Sequence, residues 1–243
     1  MQPSVQELSQ KLVSWIVNGV TSAGGKGVVF GLSGGIDSSV VAALCKRAFP
    51  KTSLGVIMPC HSGRIDREHA ELVAGKFKIP VRVVGLDSTF DTLIKTLPDE
   101  GMAVTKQMAE NNIKPRLRMI ALYYLASRLN YLVVGSGNRS EISVGYFTKH
   151  GDSGSDMMPI GNLVKRQVRE LAEYLEVPRV IIDKPPTAGL WDGQTDEAEM
   201  GLTYEELDNY LVAGKANPKV QEKIEGKIRQ SQHKRCMPPI PQF

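Results

Sequence analysis

A Gly-Gly turn near the start of the chain constrains the fold most strongly. The apolar, β-branched run at residues 28–32 predicts a strand that is buried on both of its faces. After the two glycines, Asp37, Ser38 and Ser39 lead into an apolar segment, residues 40–49, with the spacing of a helix packed on a sheet. This arrangement directs free backbone N–H groups and the positive end of a helix dipole to one point. The sequence therefore predicts an anion-binding loop.

The anion that we expect in this loop is a magnesium-bound nucleotide. A Walker A loop would continue with Gly-Lys-Ser/Thr, whereas Asp37 stands here in place of the lysine. A carboxylate repels phosphates unless a cation lies between them, so we expect Asp37 on the metal and Ser33 and Ser38 on phosphate oxygens. A lone Gly-Gly-x-Asp turn fits an ordinary strand-to-helix connection equally well. The full string Ser-Gly-Gly-Ile-Asp-Ser-Ser is more specific.

That string resembles the pyrophosphatase loop of the N-type ATP pyrophosphatases. This superfamily splits ATP into AMP and pyrophosphate, and it includes NAD, GMP, asparagine and argininosuccinate synthetases and several tRNA-modifying ligases. The loop holds the pyrophosphate end of ATP in these enzymes. The resemblance leaves open which acceptor is adenylylated.

Length and charge narrow the classes of protein further. With 243 residues, 42% of them apolar, the chain can bury a sizeable core, and we expect a single domain over residues 1–243. The net charge of +4 is too small and too dispersed to indicate binding to nucleic acid or a membrane. No apolar run approaches the roughly 18 residues that span a bilayer. No signal-peptide pattern is evident either, so we expect a cytoplasmic protein.

Short apolar runs alternate with helical patterns along the chain. This alternation predicts an α/β fold with a doubly wound parallel sheet and helices on both faces, and the loop resemblance implies the adenine nucleotide alpha-hydrolase-like type. Ligands of such sheets bind at the carboxyl ends of the strands. The loops at residues 31–39, 60–65 and 135–141 all follow expected strands, so we expect them to meet there.

Two segments and one charge cluster stand out beside these loops. Residues 98–110 are expected to be mobile, and residues 185–200 are expected to form a lid that orders over the substrate, although a plain surface loop fits the latter equally well. Lys114, Arg116 and Arg118 lie at a helix entry, where cations oppose the dipole, and this favours an anionic partner.

Further strings narrow the resemblance to one family. The chain is similar to the ammonia-dependent NAD synthetases in Ser-Gly-Gly-Ile-Asp-Ser, Lys-Pro-Arg-Leu-Arg-Met, Gly-Tyr-Phe-Thr-Lys-His-Gly-Asp, Pro-Pro-Thr-Ala-Gly-Leu and the terminal His-Lys-Arg, in that order. The resemblance implies that nicotinic acid adenine dinucleotide is amidated to NAD through an adenylylated intermediate, with ammonia as nitrogen donor and AMP and pyrophosphate as products. It also implies Mg²⁺, ATP as co-substrate, and a homodimer that builds the dinucleotide site across its two-fold interface.

The resemblance also implies a role for particular residues. Asp37 and Glu141 resemble magnesium ligands, and Asp37 and Lys165 are the expected catalytic residues. The expected ATP contacts are Gly31, Leu32, Ser33, Gly34, Gly35, Ile36, Asp37, Ser38, Ser136 and Lys165. The residues expected to hold the dinucleotide and close the site are Arg116, Lys149, Asp152, Asp156, Thr187, His233 and Lys234.

The chain departs from the family pattern at two positions. Members often carry an arginine at the end of the second strand, where this chain has Ile57, so an ATP contact is in question. The aromatic residue that some members stack on the substrate corresponds to Met108, so the stacking is either weaker in this chain or supplied by Tyr146 or Phe147.

Two other functions remain open on sequence grounds. A tRNA-modifying ligase would share the loop, but it would need a basic RNA-binding region, and the sequence offers none. A nucleotide-binding sensor would keep the loop but catalyse no reaction.

A glutaminase activity is not expected, because Cys60 and His61 are adjacent on an extended chain and therefore point to opposite sides. The polar tail from His233 is expected to close the site and to add little to stability.

Overall fold

The computed structural model describes residues 3–99, 103–187, 189 and 193–242. Within them a four-stranded parallel sheet has the order β3-β2-β1-β4. The strands are β1 (Gly27–Gly31), β2 (Ser53–Ile57), β3 (Val81–Val83) and β4 (Tyr131–Val133). The chain moves outward from β1 to β3 and then returns to the other side of β1 with β4. The predicted doubly wound sheet is therefore confirmed, with its change of direction between β1 and β4.

Helices cover the sheet and extend beyond one end of it. They are α1 (Val5–Ser22), α2 (Ile36–Ala48), α3 (Arg64–Phe77), α4 (Asp87–Thr96), α5 (Ala103–Asn111), α6 (Ile113–Leu129), α7 (Arg139–Val144), α8 (Lys165–Tyr174), α9 (Arg179–Ile182), α10 (Asp196–Met200), α11 (Tyr204–Ala213), α12 (Pro218–Gln230) and α13 (Gln232–Arg235). In the part of the chain that the structure describes, no helix is both long enough and apolar enough to cross a membrane.

Alternate side chains of β1 enter two different cores. Val28 and Phe30 pack with residues of α1, α2, α3 and α8 on one face, whereas Val29 packs with residues of α4 and α6 on the other. Successive strand residues point to opposite faces, so a strand covered on both sides must be apolar throughout. A third cluster joins α7, α11 and α12 around Leu207 and Ile224. This last layer contacts α8 as well, through α11.

The structure differs from the sequence expectations in three segments. Within residues 98–110, which are expected to be mobile, Ala103–Asn111 forms a helix, and residues 100–102 lie outside the described part; the mobility itself stays a prediction. The apolar pattern at 163–175 predicted a helix from its first residue, but α8 begins at Lys165 because the preceding residues form a turn. The mixed charges at 219–235 predict one helix along the tail, whereas the structure divides this stretch into α12 and α13 at Ser231, which caps the end of α12.

Candidate active site

A cavity of about 430 Å³ opens at the carboxyl ends of β1, β2 and β4. The loop after β1 lines it with Ser33 and Asp37, and the loop after β2 lines it with Ser62. The segment after β4 contributes Ser136 and Glu141. The predicted meeting of the three loops is confirmed, and it lies at the change of strand order, as expected for this class of sheet.

The loop between β1 and α2 has the conformation that its glycines require. Gly34 has φ +77°, and a Cβ there would lie 2.3 Å from the carbonyl oxygen of Asp66, so α3 leaves no room for a side chain. The hydroxyls of Ser33 and Ser38 lie 3.0 Å apart, and Ser38 donates a hydrogen bond to the carbonyl of Gly35. These hydroxyls sit at the N-terminus of α2, where the helix dipole favours a phosphate.

Three charged side chains from three helices meet beside this loop. Lys165, in the first turn of α8, donates a 2.5 Å hydrogen bond to Oδ2 of Asp37 in the first turn of α2. The same ammonium lies 3.4 Å from Oε1 of Glu141 on α7. Asn138 donates from Nδ2 to the other oxygen of Asp37 over 3.0 Å. The structure thus brings together the two expected catalytic residues and the second expected metal ligand.

Burial and neighbouring charge shift the proton affinities of this group. Burial, with the Asp37 carboxylate nearby, raises the pKa of Glu141 to about 7. Burial alone would lower the pKa of Lys165, but Asp37 and Glu141 outweigh it, so that pKa lies above its usual value. Lys165 therefore stays charged at neutral pH, whereas the raised pKa of Glu141 lets this carboxyl take up a proton near neutral pH, even with the Lys165 ammonium 3.4 Å away.

The two carboxylates are suited to magnesium. Mg²⁺ is commonly held by one or two carboxylates, with substrate phosphates and water completing its coordination. Among the described residues, no group of three or more His, Cys, Asp or Glu side chains could hold a metal by itself. Asp37 and Glu141 line the same cavity as the phosphate loop, so phosphate oxygens could complete the coordination there.

A chain of tyrosines and acids extends from this group towards α10. The hydroxyl of Tyr204 lies 3.2 Å from Glu141 Oε1 and 2.9 Å from Asp196 Oδ2. The hydroxyl of Tyr146 lies 3.0 Å from Asp196 Oδ1 and 2.8 Å from Glu199 Oε2. Sequence reasoning missed this network, because it joins two stretches, residues 141–146 and 196–204, that are far apart in the chain. Tyr146 lines the cavity while its hydroxyl contacts these acids, and its stacking on the substrate stays a prediction.

An arginine does lie at the end of β2, although the sequence has Ile57 there. Arg118 on α6 donates from Nε to the carbonyl of Met58 and from Nη2 to Ser62 Oγ, each over 3.1 Å. It lines the cavity, and its burial lowers its pKa. The cation cluster at the start of α6 was the sequence signal for this residue. Met108 also lines the cavity and is largely exposed.

The expected substrate residues divide into two groups. Asp152, Thr187 and Lys234 line the cavity, as do Ser136 and the phosphate loop apart from Gly34. The others lie outside the cavity lining: Arg116, Lys149, Asp156 and His233. The lid expected at 185–200 is described only in part, since Trp191 lies outside the described residues.

Three of the outlying residues have partners elsewhere in the chain. Lys149 donates to the carbonyl of His233 over 2.8 Å, and Arg116 donates to the carbonyl of Lys149 over 3.3 Å. Asp156 accepts a 2.8 Å hydrogen bond from the backbone N–H of Val133, which ties it to the end of β4. These contacts give the three residues a structural role within a single chain.

The C-terminal tail binds the end of α7. Lys234 donates to the carbonyls of Gly145 and Phe147 over 2.8 and 2.9 Å, and Arg235 donates to those of Ile142 and Ser143 over 3.1 and 3.0 Å. Cations stabilise a helix C-terminus by binding its unpaired carbonyls. The expectation that the tail contributes little to the fold is therefore wrong for Arg235.

Cys60 lacks the surroundings of a catalytic thiolate. It is fully buried, and burial raises the pKa of its thiol. The imidazole of His61 lies against Oδ1 of Asp91 at 2.8 Å. Cys45 is also buried with a raised pKa. These contacts agree with the expectation that Cys60 and His61 do not form a nucleophilic pair.

Known proteins resemble this chain over nearly its whole length. The family model described as NAD synthase matches residues 8–238. The NH(3)-dependent NAD(+) synthetase of Carboxydothermus hydrogenoformans is 47% identical, and the match covers 99% of each chain. Among solved structures, the NMN synthetase of Francisella tularensis has a TM-score of 0.94 at 37% identity and covers 100% of both chains. The NH3-dependent NAD synthetase of Campylobacter jejuni has a TM-score of 0.81 at 29% identity and covers 99% of this chain and 100% of its own.

Proposed function

The chain belongs to the NAD synthase family, whose model matches residues 8–238, and from this membership we propose that it forms NAD from nicotinic acid adenine dinucleotide, ATP and ammonia. A carboxylate oxygen of the dinucleotide attacks the α-phosphorus of ATP, the bond to the β-phosphate oxygen breaks, and pyrophosphate leaves. Ammonia then attacks the carbonyl carbon of the acyl adenylate. AMP leaves, and one proton is released.

One observation carries this proposal: the contact of Lys165 with Asp37 and Glu141 directly beside the phosphate loop. Two polyanions must meet for the first step, so their repulsion has to be offset inside the cavity. Lys165 supplies a fixed positive charge, and the amides and hydroxyls of the loop supply dipoles. Holding the carboxylate in line with the α-phosphorus can lower the barrier further, because it replaces a random encounter.

Magnesium is part of the proposal. A bound Mg²⁺ would neutralise phosphate charge, and Asp37 and Glu141 would hold it through carboxylate oxygens. Lys165 has its own role, which is to contact the transferring phosphate group and stabilise the charge that develops there. Asn138 keeps the Asp37 carboxylate oriented by donating to Oδ1.

The binding residues follow from the cavity lining. We propose that ATP binds along the loop from Gly31 to Ser38, with Ser136 and Lys165, and that Asp152, Thr187 and Lys234, which line the same cavity, contact the dinucleotide. Arg116, Lys149, Asp156 and His233 remain candidates for the dinucleotide, although they lie outside that lining.

A homodimer is part of the proposal as well. The outer face of α6 carries Ile120 and Tyr124, whose side chains are 58% and 64% exposed. The opposite face of the helix packs against the core through residues such as Leu122. An exposed apolar ridge beside Arg116 fits an interface with a second copy of the chain, and closed two-fold dimers are the commonest assembly. A cytoplasmic location remains a prediction from the sequence.

A pyrophosphate-release assay tests the proposed reaction. Purified protein is given ATP and Mg²⁺ with the dinucleotide and ammonium, and then with each of these two omitted in turn. We expect NAD to form only in the complete mixture, with pyrophosphate and AMP in equal amounts. A sensor would release no pyrophosphate, and a tRNA-modifying ligase would not respond to the dinucleotide. Either outcome would contradict the proposal.

A second candidate substrate is nicotinic acid mononucleotide. The observation that favours it is the TM-score of 0.94 with the NMN synthetase of Francisella tularensis, against 0.81 with the NAD synthetase of Campylobacter jejuni. The 47% identity with the NAD synthetase of Carboxydothermus hydrogenoformans favours the dinucleotide. Competition between both acids at equal concentration separates the two, since the ratio of NAD to NMN formed gives the ratio of kcat/KM values directly.

A further inference from the structure

We propose that Tyr204 and Asp208 on α11 are positioning residues for Lys165 and Glu141. This inference deepens the proposed function and rests on it. The two residues are four positions apart, so they lie one turn apart on the same face of the helix. Both are buried, and neither lines the cavity. Any effect they have on the reaction must therefore pass through the residues that they touch.

Asp208 binds the start of α8. Its Oδ2 accepts a 2.7 Å hydrogen bond from the backbone N–H of Arg166, and its Oδ1 lies 3.3 Å from that of Lys165. The residue before the helix is Val164, whose side chain has no acceptor for these N–H groups. Two cations in a first turn also oppose the helix dipole. Asp208 supplies the missing carboxylate from another helix and so fixes the backbone that carries Lys165.

Ser140 connects Asp208 to α7 through a hydrogen bond. Its hydroxyl donates to Oδ1 of Asp208 over 2.5 Å and accepts from the backbone N–H of Lys165 over 3.1 Å. Ser140 directly precedes Glu141 in the chain, and it is fully buried. One carboxylate on α11 therefore fixes the backbones of both Lys165 and Glu141 relative to each other.

Tyr204 fixes the side chains of the same pair. Its hydroxyl has one proton and lies within hydrogen-bond distance of two carboxylates, Asp196 Oδ2 at 2.9 Å and Glu141 Oε1 at 3.2 Å. The ammonium of Lys165 lies 4.9 Å from the centre of the Tyr204 ring. A cation over an aromatic face is attracted by the ring quadrupole, and more so when it is buried. Tyr204 therefore contacts both the Lys165 ammonium and the Glu141 carboxylate, which it also connects to Asp196, while Asp208 binds the two backbones.

Kinetics of paired variants test this arrangement. Tyr204→Phe keeps the ring and removes the hydroxyl, and Asp208→Asn removes one acceptor and the charge. We expect each to lower kcat by about tenfold, the usual cost of losing an outer partner of a reactive group, with a smaller change in KM for ammonium. Two substitutions on the same helix are the controls. Tyr210→Phe removes a hydroxyl that contacts Glu225, and Glu206→Ala breaks the capping box with Thr203.

The controls separate positioning from stability. Glu206→Ala is expected to lower the melting temperature and leave kcat per folded molecule unchanged. If Tyr204→Phe and Asp208→Asn also leave kcat within about twofold, or if the controls lower it as much, the inference is wrong. If Asp208→Asn does not fold, Ser140→Ala replaces it as the test variant, because this substitution removes only the hydroxyl that bridges Asp208 and the backbone N–H of Lys165. An unchanged kcat in Ser140→Ala and Tyr204→Phe would then overturn the inference.

A binding measurement keeps the inference separate from the proposed reaction. Calorimetry with Mg²⁺ and a non-hydrolysable ATP analogue needs no turnover and no dinucleotide. We expect Tyr204→Phe and Asp208→Asn (or Ser140→Ala) to weaken binding by about tenfold, and Tyr210→Phe to leave it unchanged. If the wild-type protein forms no NAD, the proposed function fails while this measurement still decides the inference. Equal affinity in all variants would contradict it.

Discussion

Lys165 donates a 2.5 Å hydrogen bond to Asp37, although 128 positions separate them in the sequence. Each residue lies in the first turn of its helix, so the N-termini of α2 and α8 face each other. The dipole of α2 stabilises the negative charge of Asp37, whereas the dipole of α8 destabilises the positive charge of Lys165. The ion pair with Asp37 offsets this unfavourable effect on Lys165. A polyanion that enters the cavity meets a charged lysine that is already held in place.

Asp37→Asn should abolish most of the activity and lower stability. We expect turnover to fall by at least about a hundredfold, because the group that faces the phosphates loses its charge. Removing Asp37 also lowers the unfolding free energy, by less than the roughly 3 kcal/mol that a fully unpaired buried charge costs, because Glu141 still lies 3.4 Å from the Lys165 ammonium. NAD formation across a magnesium titration and thermal denaturation measure the two effects. Asp183→Asn, in an exposed ion pair with Arg179, is the control. Near-normal turnover at limiting magnesium would contradict the metal assignment.

Glu141→Gln should change how stability depends on pH. The pKa of Glu141 is raised from 4.5 to about 7, so the folded protein binds more protons than the unfolded chain between these values. Stability of the wild type therefore falls as pH rises through this window. Glutamine imitates the protonated acid, so the variant should gain melting temperature relative to the wild type between about pH 5 and pH 8. A difference that stays constant over this range would contradict the raised pKa.

Much of the fold follows from local sequence patterns. The side chains around Phe30 alternate between two cores, and both cores are apolar. The uninterrupted apolar run at this segment was therefore enough to predict a strand covered on both faces. Gly34 was informative about the loop, because its sequence position predicted a sharp turn. The structure shows why a glycine is needed there: its φ is positive, and α3 approaches too closely for a side chain. The pairing of Asp37 with Glu141 followed from the family resemblance, and their proximity agrees with it.

The missed residues depend on contacts between distant segments. Arg118 fills the position where Ile57 suggested that an arginine was lacking, and nothing in the local sequence tells which strand end a helix residue reaches. Asp208 resembles any acid on a helix until α8 is found against it. The helix at Ala103–Asn111 was missed because Pro98, Asp99 and Gly101 precede it and suggested a break that continued further.

The two terminal cations should have separate effects. Arg235→Met should lower the melting temperature, because the carbonyls of Ile142 and Ser143 lose a charged donor, and each hydrogen bond to a charged group is worth about 1.5–3 kcal/mol. Lys234→Met should lower turnover more than Arg235→Met does, because Lys234 lines the cavity. Turnover per folded molecule and thermal denaturation separate the two effects. Equal turnover in both variants would contradict this division.

The oligomeric state should depend on the outer face of α6. Light scattering at micromolar concentration should give the mass of a dimer for the wild type. Placing charges on the ridge with Ile120→Glu and Tyr124→Glu should give a monomer, because a buried unpaired carboxylate is costly. Leu72→Glu on α3, where the side chain is 46% exposed, is the matched control and should stay dimeric. An active wild-type monomer would contradict the proposed homodimer.

The source of the amide nitrogen tests the central claim most directly. The wild-type protein is incubated with ATP, Mg²⁺ and nicotinic acid adenine dinucleotide, and with either nitrogen-15-labelled ammonium or ammonia-free glutamine labelled in its side-chain amide. We predict labelled NAD from ammonium, formed faster as rising pH supplies more ammonia, and almost none from glutamine. Labelled NAD from glutamine that disappears in Cys60→Ser, or no NAD from ammonium at any pH, would contradict ammonia-dependent NAD synthesis by this site.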